Sequence, residues 1–91
     1  MRFEWDEHKR LSNLAKHGLD LLDAELVFRG PCYSHPSIRQ DEVRWVTVGM
    51  LENKDVSIVW TVRGEAIRLI SFRRARREER RRYRQLYGGG A

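Results

Sequence analysis

The sequence predicts a small α+β domain with two N-terminal helices, an antiparallel β-sheet meander and a C-terminal basic helix. Three observations carry that expectation. A chain of 91 residues can bury one modest hydrophobic core and no second one. Residues 1–30 carry helix caps and apolar residues spaced three and four apart. From Glu42 the pattern changes to short β-branched and aromatic runs divided by turn sequences. Helices followed by consecutive strands pack on an antiparallel sheet rather than alternating with a parallel one.

Phe3-Glu4-Trp5 reads as a short opening strand. Asp6 is a good N-cap for a helix to about His17, with Glu7 favourably placed in its first turn. Leu11, Leu14 and Ala15 give that helix an apolar stripe. Gly18 can close it in the left-handed conformation, and Lys16 and His17 lie in the last turn, where the helix dipole favours cations. Asp20 caps a second helix to about Arg29, with Leu21, Ala24, Val27 and Phe28 facing the core and Gly30-Pro31 as its stop.

Residues 31–41 hold both prolines in a mixed polar setting, and an irregular strand or loop is expected there. Runs 43–51, 56–62 and 66–72 read as three strands. Glu52-Asn53-Lys54-Asp55 and Arg63-Gly64-Glu65 serve as the tight turns between them. Strict alternation places Ala66, Arg68, Ile70 and Phe72 on one face, and Ile67, Leu69 and Ser71 on the other. Beyond Phe72 the chain reads as helical to about Tyr87, with Ala75, Glu79 and Tyr83 along one face. Trp5, Trp45 and Trp60 are expected in the core. Residues 1–87 are expected to form a single domain, and residues 88–91 a flexible Gly-rich tail.

Composition narrows the function. Cys32 is the only cysteine, so no intrachain disulfide and no CxxC zinc pair can form, which fits a reducing cytosol. The run 56–62 is too short to span a membrane, and the N-terminus turns acidic at Glu4 and Asp6, unlike a secretory leader. A cytoplasmic protein without a membrane partner is the expectation. His8, His17 and His35 are scattered and no carboxylates cluster in a ligating pattern, so neither a metal nor another cofactor is expected.

The formal net charge of +5 is concentrated at one end. Residues 73–87 hold eight arginines against Glu78 and Glu79, while the rest of the chain carries 10 basic and 11 acidic residues. Arginine's planar fork suits phosphate, so a polyanionic partner is implied: RNA, DNA or an acidic protein surface.

Several segments together resemble one known family. Phe3-Glu4-Trp5-Asp6, Lys9, Asn13 and Lys16-His17-Gly18 are similar to the opening signature of the BrnT toxins. Ala24, Val27-Phe28, Pro31, Glu42, Arg44, Val48-Gly49 and Thr61-Val62-Arg63 continue the resemblance in order. Residues 68–75, with Glu79 and Tyr83, resemble the closing block, although Phe72 stands where the family has a small residue. The resemblance implies a RelE-like fold, an RNA-cleaving toxin and a cognate antitoxin of the BrnA type. It also implies a toxin–antitoxin complex that represses its own operon, the antitoxin supplying the contact with operator DNA.

Metal-free RNA cleavage needs a group to activate the 2′-hydroxyl, positive charge for the phosphorane and a proton for the leaving 5′-oxygen. Arg63 at a strand end and Arg73 at the strand-to-helix junction are the first candidates for the charge, provided the strand register brings them together. Lys16 is a candidate phosphate contact and His17 a candidate acid or base, although a helix C-terminus alone also explains both. Glu79 reads either as a base or as an orienting partner for an arginine. Arg74, Arg77, Arg80 and Arg81 are candidates for gripping RNA, and Tyr83 for stacking on a base or packing on the sheet. The rival class is a non-catalytic module whose arginine helix binds nucleic acid or an acidic protein.

Overall fold

A computed structural model describes residues 2–88. Five strands form one sheet: β1 (Arg2–Glu4), β2 (Tyr33–Arg39), β3 (Glu42–Leu51), β4 (Lys54–Arg63) and β5 (Ala66–Arg74). Their order is β1-β5-β4-β3-β2. Strands β2 to β5 form an antiparallel meander, and β1 joins the outer edge of β5 in parallel through Ala66–Arg68. The helices are α1 (Glu7–His17), α2 (Ala24–Arg29) and α3 (Arg77–Tyr87), with a 3₁₀ turn at Leu21–Asp23 leading into α2. The α+β architecture matches the sequence expectation. Of the Gly-rich tail expected at residues 88–91, Gly88 caps α3 and residues 89–91 lie outside the described residues.

Residues 31–41 are more regular than their composition suggests. Tyr33–Arg39 pairs residue for residue with Val48–Glu42, and the hairpin closes on Gln40-Asp41, with φ of 48° and 65°. Glu52-Asn53 closes the β3–β4 hairpin in the same left-handed way. Such I′-type turns match the twist of the strands they join. Pro36 costs β2 little because an edge strand has one side without ladder bonds.

Asp6 and Gly18 cap α1 as expected: the Asp6 carboxylate accepts from the Lys9 N–H, and Gly18 adopts φ 70°. The stripe proposed for its buried face does not hold, because Leu11, Leu14 and Ala15 are exposed. The helix is fixed by a polar residue instead. Asn13, 8% exposed, donates through Nδ2 to the carbonyls of Leu19 (2.9 Å) and Phe72 (2.8 Å) and accepts from the Phe72 N–H at 3.1 Å. Beyond the end of β1, this side chain takes the place of a neighbouring strand for β5. It thereby sets the C-terminus of α1, with Lys16 and His17, against the sheet.

The second departure is in β5. Trp60 pairs with Leu69 but Val59 pairs with Ser71, so Ile70 is an extra residue in a β-bulge. A bulge breaks strict alternation and re-aims the side chains that follow it. Phe72 therefore joins Ile67 and Leu69 in the main core, with Leu19, Leu21, Ala24, Val27, Val56 and Ile58 beneath α2. Arg73 turns to the opposite face. There a smaller cluster of Val46, Val48, Ala75 and Tyr83 seats α3. Ala75 keeps its expected packing although β5 runs through Arg74 and the helix begins only at Arg77.

Candidate active site on the open face of the sheet

The face of the sheet not covered by α2 carries a groove of about 470 Å³. Its floor follows the register: His35, Val46, Val59 and Ser71 lie level across β2, β3, β4 and β5. One wall is formed by His35, Ser37, Arg39 and Arg44, the other by Lys16 and His17 with Ile70 and Ser71. Arg73, Arg76 and Glu79 close one end. Asn13 and the Ile70 bulge are what bring Lys16, His17 and Arg73 to this face.

Glu79 organises that end. Its carboxylate accepts from Arg73 Nη1 at 2.8 Å and Nη2 at 3.1 Å, from the Arg76 backbone N–H at 2.8 Å and from Ser57 Oγ at 2.9 Å. The Arg76 bond also satisfies a free N–H at the start of α3, as a capping box does. Burial works to raise the Glu79 pKa. The hydrogen bonds from Arg73, Arg76 and Ser57, with the Arg73 charge, outweigh it and hold the carboxyl down at about 2. Three of these four bonds fall on Oε1 and one on Oε2, and such a carboxylate stays ionised. It is the orienting partner of Arg73, and the guanidinium it holds is 14% exposed.

His35 stands beside this pair. Its Nε2 lies 3.8 Å from Glu79 Oε2, and its side chain is 44% exposed. A second groove of about 610 Å³, lined by Tyr33, Ser34, Arg77 and Arg82, shares His35, Arg76 and Glu79 with the first. The two grooves therefore meet at these three residues.

Of the residues singled out by sequence, Lys16, His17, Arg73 and Glu79 come together in the groove on the sheet face. Arg63 does not meet Arg73. Ser57 is the residue opposite Arg73, and Arg63 lies six positions further on, about 20 Å along β4. Arg63 is exposed on the same sheet face, at the β4–β5 turn. Arg74 falls on the opposite face, paired with Val56. Arg80 and Arg81 lie with Arg77, Arg84 and Gln85 along a separate groove of about 690 Å³ on the outer side of α3. Tyr83 is 9% exposed, packs in the smaller core and donates its hydroxyl to the Pro31 carbonyl at 3.0 Å, so its ring is not free to stack on a base. His35, Ser37, Arg39 and Arg76 join the site without having been singled out, and Arg44, quoted only for the family resemblance, joins them. His35, Ser37 and Arg39 lie on β2, where an irregular strand or loop was expected.

Among the described residues no group of three or more His, Cys, Asp and Glu is placed to hold a metal ion. No helix among them is long and apolar enough to cross a membrane.

No curated protein matches the chain. A family model described as the ribonuclease toxin, BrnT, of type II toxin-antitoxin systems matches residues 5–79. That span runs from the β1–α1 connection to the carboxylate that clamps Arg73, and takes in Lys16, His17, Arg44 and Arg63 on the way. The chain belongs to the BrnT family of ribonuclease toxins of type II toxin-antitoxin systems.

Proposed function

We propose that this chain, acting as one unit over residues 1–87, cleaves RNA in the groove between the end of α1 and β2 and so arrests translation in the cytoplasm. A BrnA-type antitoxin holds it inactive, and the complex represses its own operon, meeting operator DNA through the antitoxin. The observation that carries the catalytic reading is the convergence of Lys16, His17, Arg73, Arg76 and Glu79 in one groove.

Cleavage there needs no metal. Arg73, braced by Glu79, supplies fixed positive charge for the phosphorane, Arg76 adds an exposed cation beside it, and Lys16 reaches the phosphate from the opposite wall. His17 takes the proton of the attacking 2′-hydroxyl. Oxygen O2′ then bonds to phosphorus, the bond from phosphorus to O5′ breaks, and the products end in a 2′,3′-cyclic phosphate and a 5′-hydroxyl. Arg63 contacts the RNA backbone some nucleotides away, and Arg77, Arg80 and Arg81 hold it through phosphates.

The test is cleavage of RNA by purified protein in the presence of a chelator, with the product ends identified, alongside induced expression scored for growth arrest. Cyclic phosphate ends from wild type, lost in folded Arg73→Ala, are expected. Intact RNA with tight, salt-sensitive binding would instead support the non-catalytic module.

A further inference from the structure

We infer that His35 is a catalytic residue, the group that protonates the leaving 5′-oxygen opposite His17. The inference rests on the ribonuclease reading above and assigns a role that reading leaves open.

Three observations carry it. His35 and Ser71 occupy one level of the sheet, separated by Val46 and Val59, and His17 lies beside Ser71. The two imidazoles thus stand on opposite walls of a groove whose floor is apolar at that level. Attacking and departing oxygens lie on opposite sides of phosphorus in an in-line displacement, so an acid and a base are needed on opposite walls; three strand spacings, about 14 Å, separate the backbones here, and the two rings reach one phosphate by leaning over the apolar floor. Next, His35 lies where the two grooves meet, so a strand passing from one into the other crosses its ring. Finally, His35 Nε2 lies 3.8 Å from Glu79 Oε2, so a carboxylate faces the ring, while Arg76, Arg77, Glu78 and Arg82 line the groove beside it from α3 and Arg44 from β3. His17 has Lys16 as its neighbour instead. The asymmetry assigns His35 as the donor and His17 as the acceptor.

The protons balance. One passes from O2′ to His17 and another from His35 to O5′ as the bond to phosphorus breaks. Solvent exchange then returns both rings to their starting states.

The experiment uses the full chain and two RNA oligonucleotides spanning a site first mapped with wild type. One is unmodified, and the other carries sulfur in place of the bridging 5′-oxygen there. A thiolate leaves without protonation, so the sulfur substrate bypasses a general acid. His35→Asn and His35→Gln are compared with His17→Ala, each checked for an unchanged thermal midpoint. The His35 side chain is 44% exposed at the edge strand, so at least one of its two variants should fold.

Loss of the general acid should lower kcat on ordinary RNA by about 100-fold or more with KM little changed. The same variant should cleave the sulfur substrate near the wild-type rate, while His17→Ala fails on both. A His35 variant within a few fold of wild type on ordinary RNA, or equally impaired on both substrates, overturns the assignment. A folded wild type that yields no cleavage site in the mapping step overturns the ribonuclease reading itself.

Discussion

Replacing Glu79 by glutamine separates the clamp from a base more sharply than any other change. The substitution keeps the shape of the side chain and removes its charge. In the native chain the carboxyl is held at about 2, against an ordinary value of 4.5. A depressed carboxyl adds stability that is fully present above pH 4.5 and lost as the pH falls towards 2. That shift corresponds to stabilisation on the order of 3 kcal/mol at neutral pH. It is a large share of the roughly 5–15 kcal/mol that holds a domain folded. Urea unfolding of wild type and Glu79→Gln, repeated from pH 7 to pH 2, should show a gap of about 3 kcal/mol that closes through the acid range. The subtraction isolates Glu79 from the other low-titrating carboxyls, such as Asp20 beside Arg10. Cleavage by the variant should weaken because Arg73 loses its brace, while its pH–rate profile above pH 5 keeps the wild-type shape. A gap that stays constant down to pH 2 would refute the ionised clamp. Unchanged stability with lost cleavage and a lost pH limb would make Glu79 the base after all.

Three further outcomes follow from the packing. Asn13→Ala leaves the Phe72 N–H and two buried carbonyls without their partner, and should cost about 2–4 kcal/mol by urea unfolding and lower kcat by loosening Lys16 and His17. Gly49→Ala sets a methyl group 2.7 Å from Val27 Cγ1, forcing α2 off β3, and should cost about 1–3 kcal/mol in the same assay. Arg63→Ala should raise KM and leave kcat nearly intact, whereas Arg73→Ala should lower kcat; steady-state cleavage kinetics of the two variants measure the split.

Sequence alone reveals most of the fold, because caps and turns are local chemistry. Asp6 and Gly18 delimit α1, and Gly64, with φ 63°, makes the β4–β5 turn. What it hides depends on partners distant in the chain. Gln40-Asp41 carries no glycine or asparagine to announce a left-handed turn, and β2 becomes a strand because β3 lies beside it. Asn13 looks like one more polar helix residue until Phe72, 59 positions later, supplies its hydrogen-bond partners. The Ile70 bulge leaves no mark in composition, yet it decides which of Phe72 and Arg73 enters the core. Half of the groove was legible for the same reason. Lys16 and His17 announce themselves at a helix end, and Arg73 and Glu79 in the basic segment. His35 needed the hairpin.

The sheet divides the labours of the chain between its faces, and α3 is where they are joined. The face beneath α2 buries the larger core, while the opposite face keeps only the small cluster that seats α3. Three tyrosine hydrogen bonds help hold the helix there: Tyr83 to the Pro31 carbonyl, Tyr87 to the Cys32 carbonyl, and Tyr33 to the Glu79 carbonyl. The Glu79 carboxylate then ties the start of α3 to Ser57 on β4 and Arg73 on β5. Docking of α3 therefore assembles the basic end of the groove, because Arg73 is clamped only when Glu79 arrives. The seating of α3 and the position of Arg73 therefore depend on the same four hydrogen bonds to Glu79.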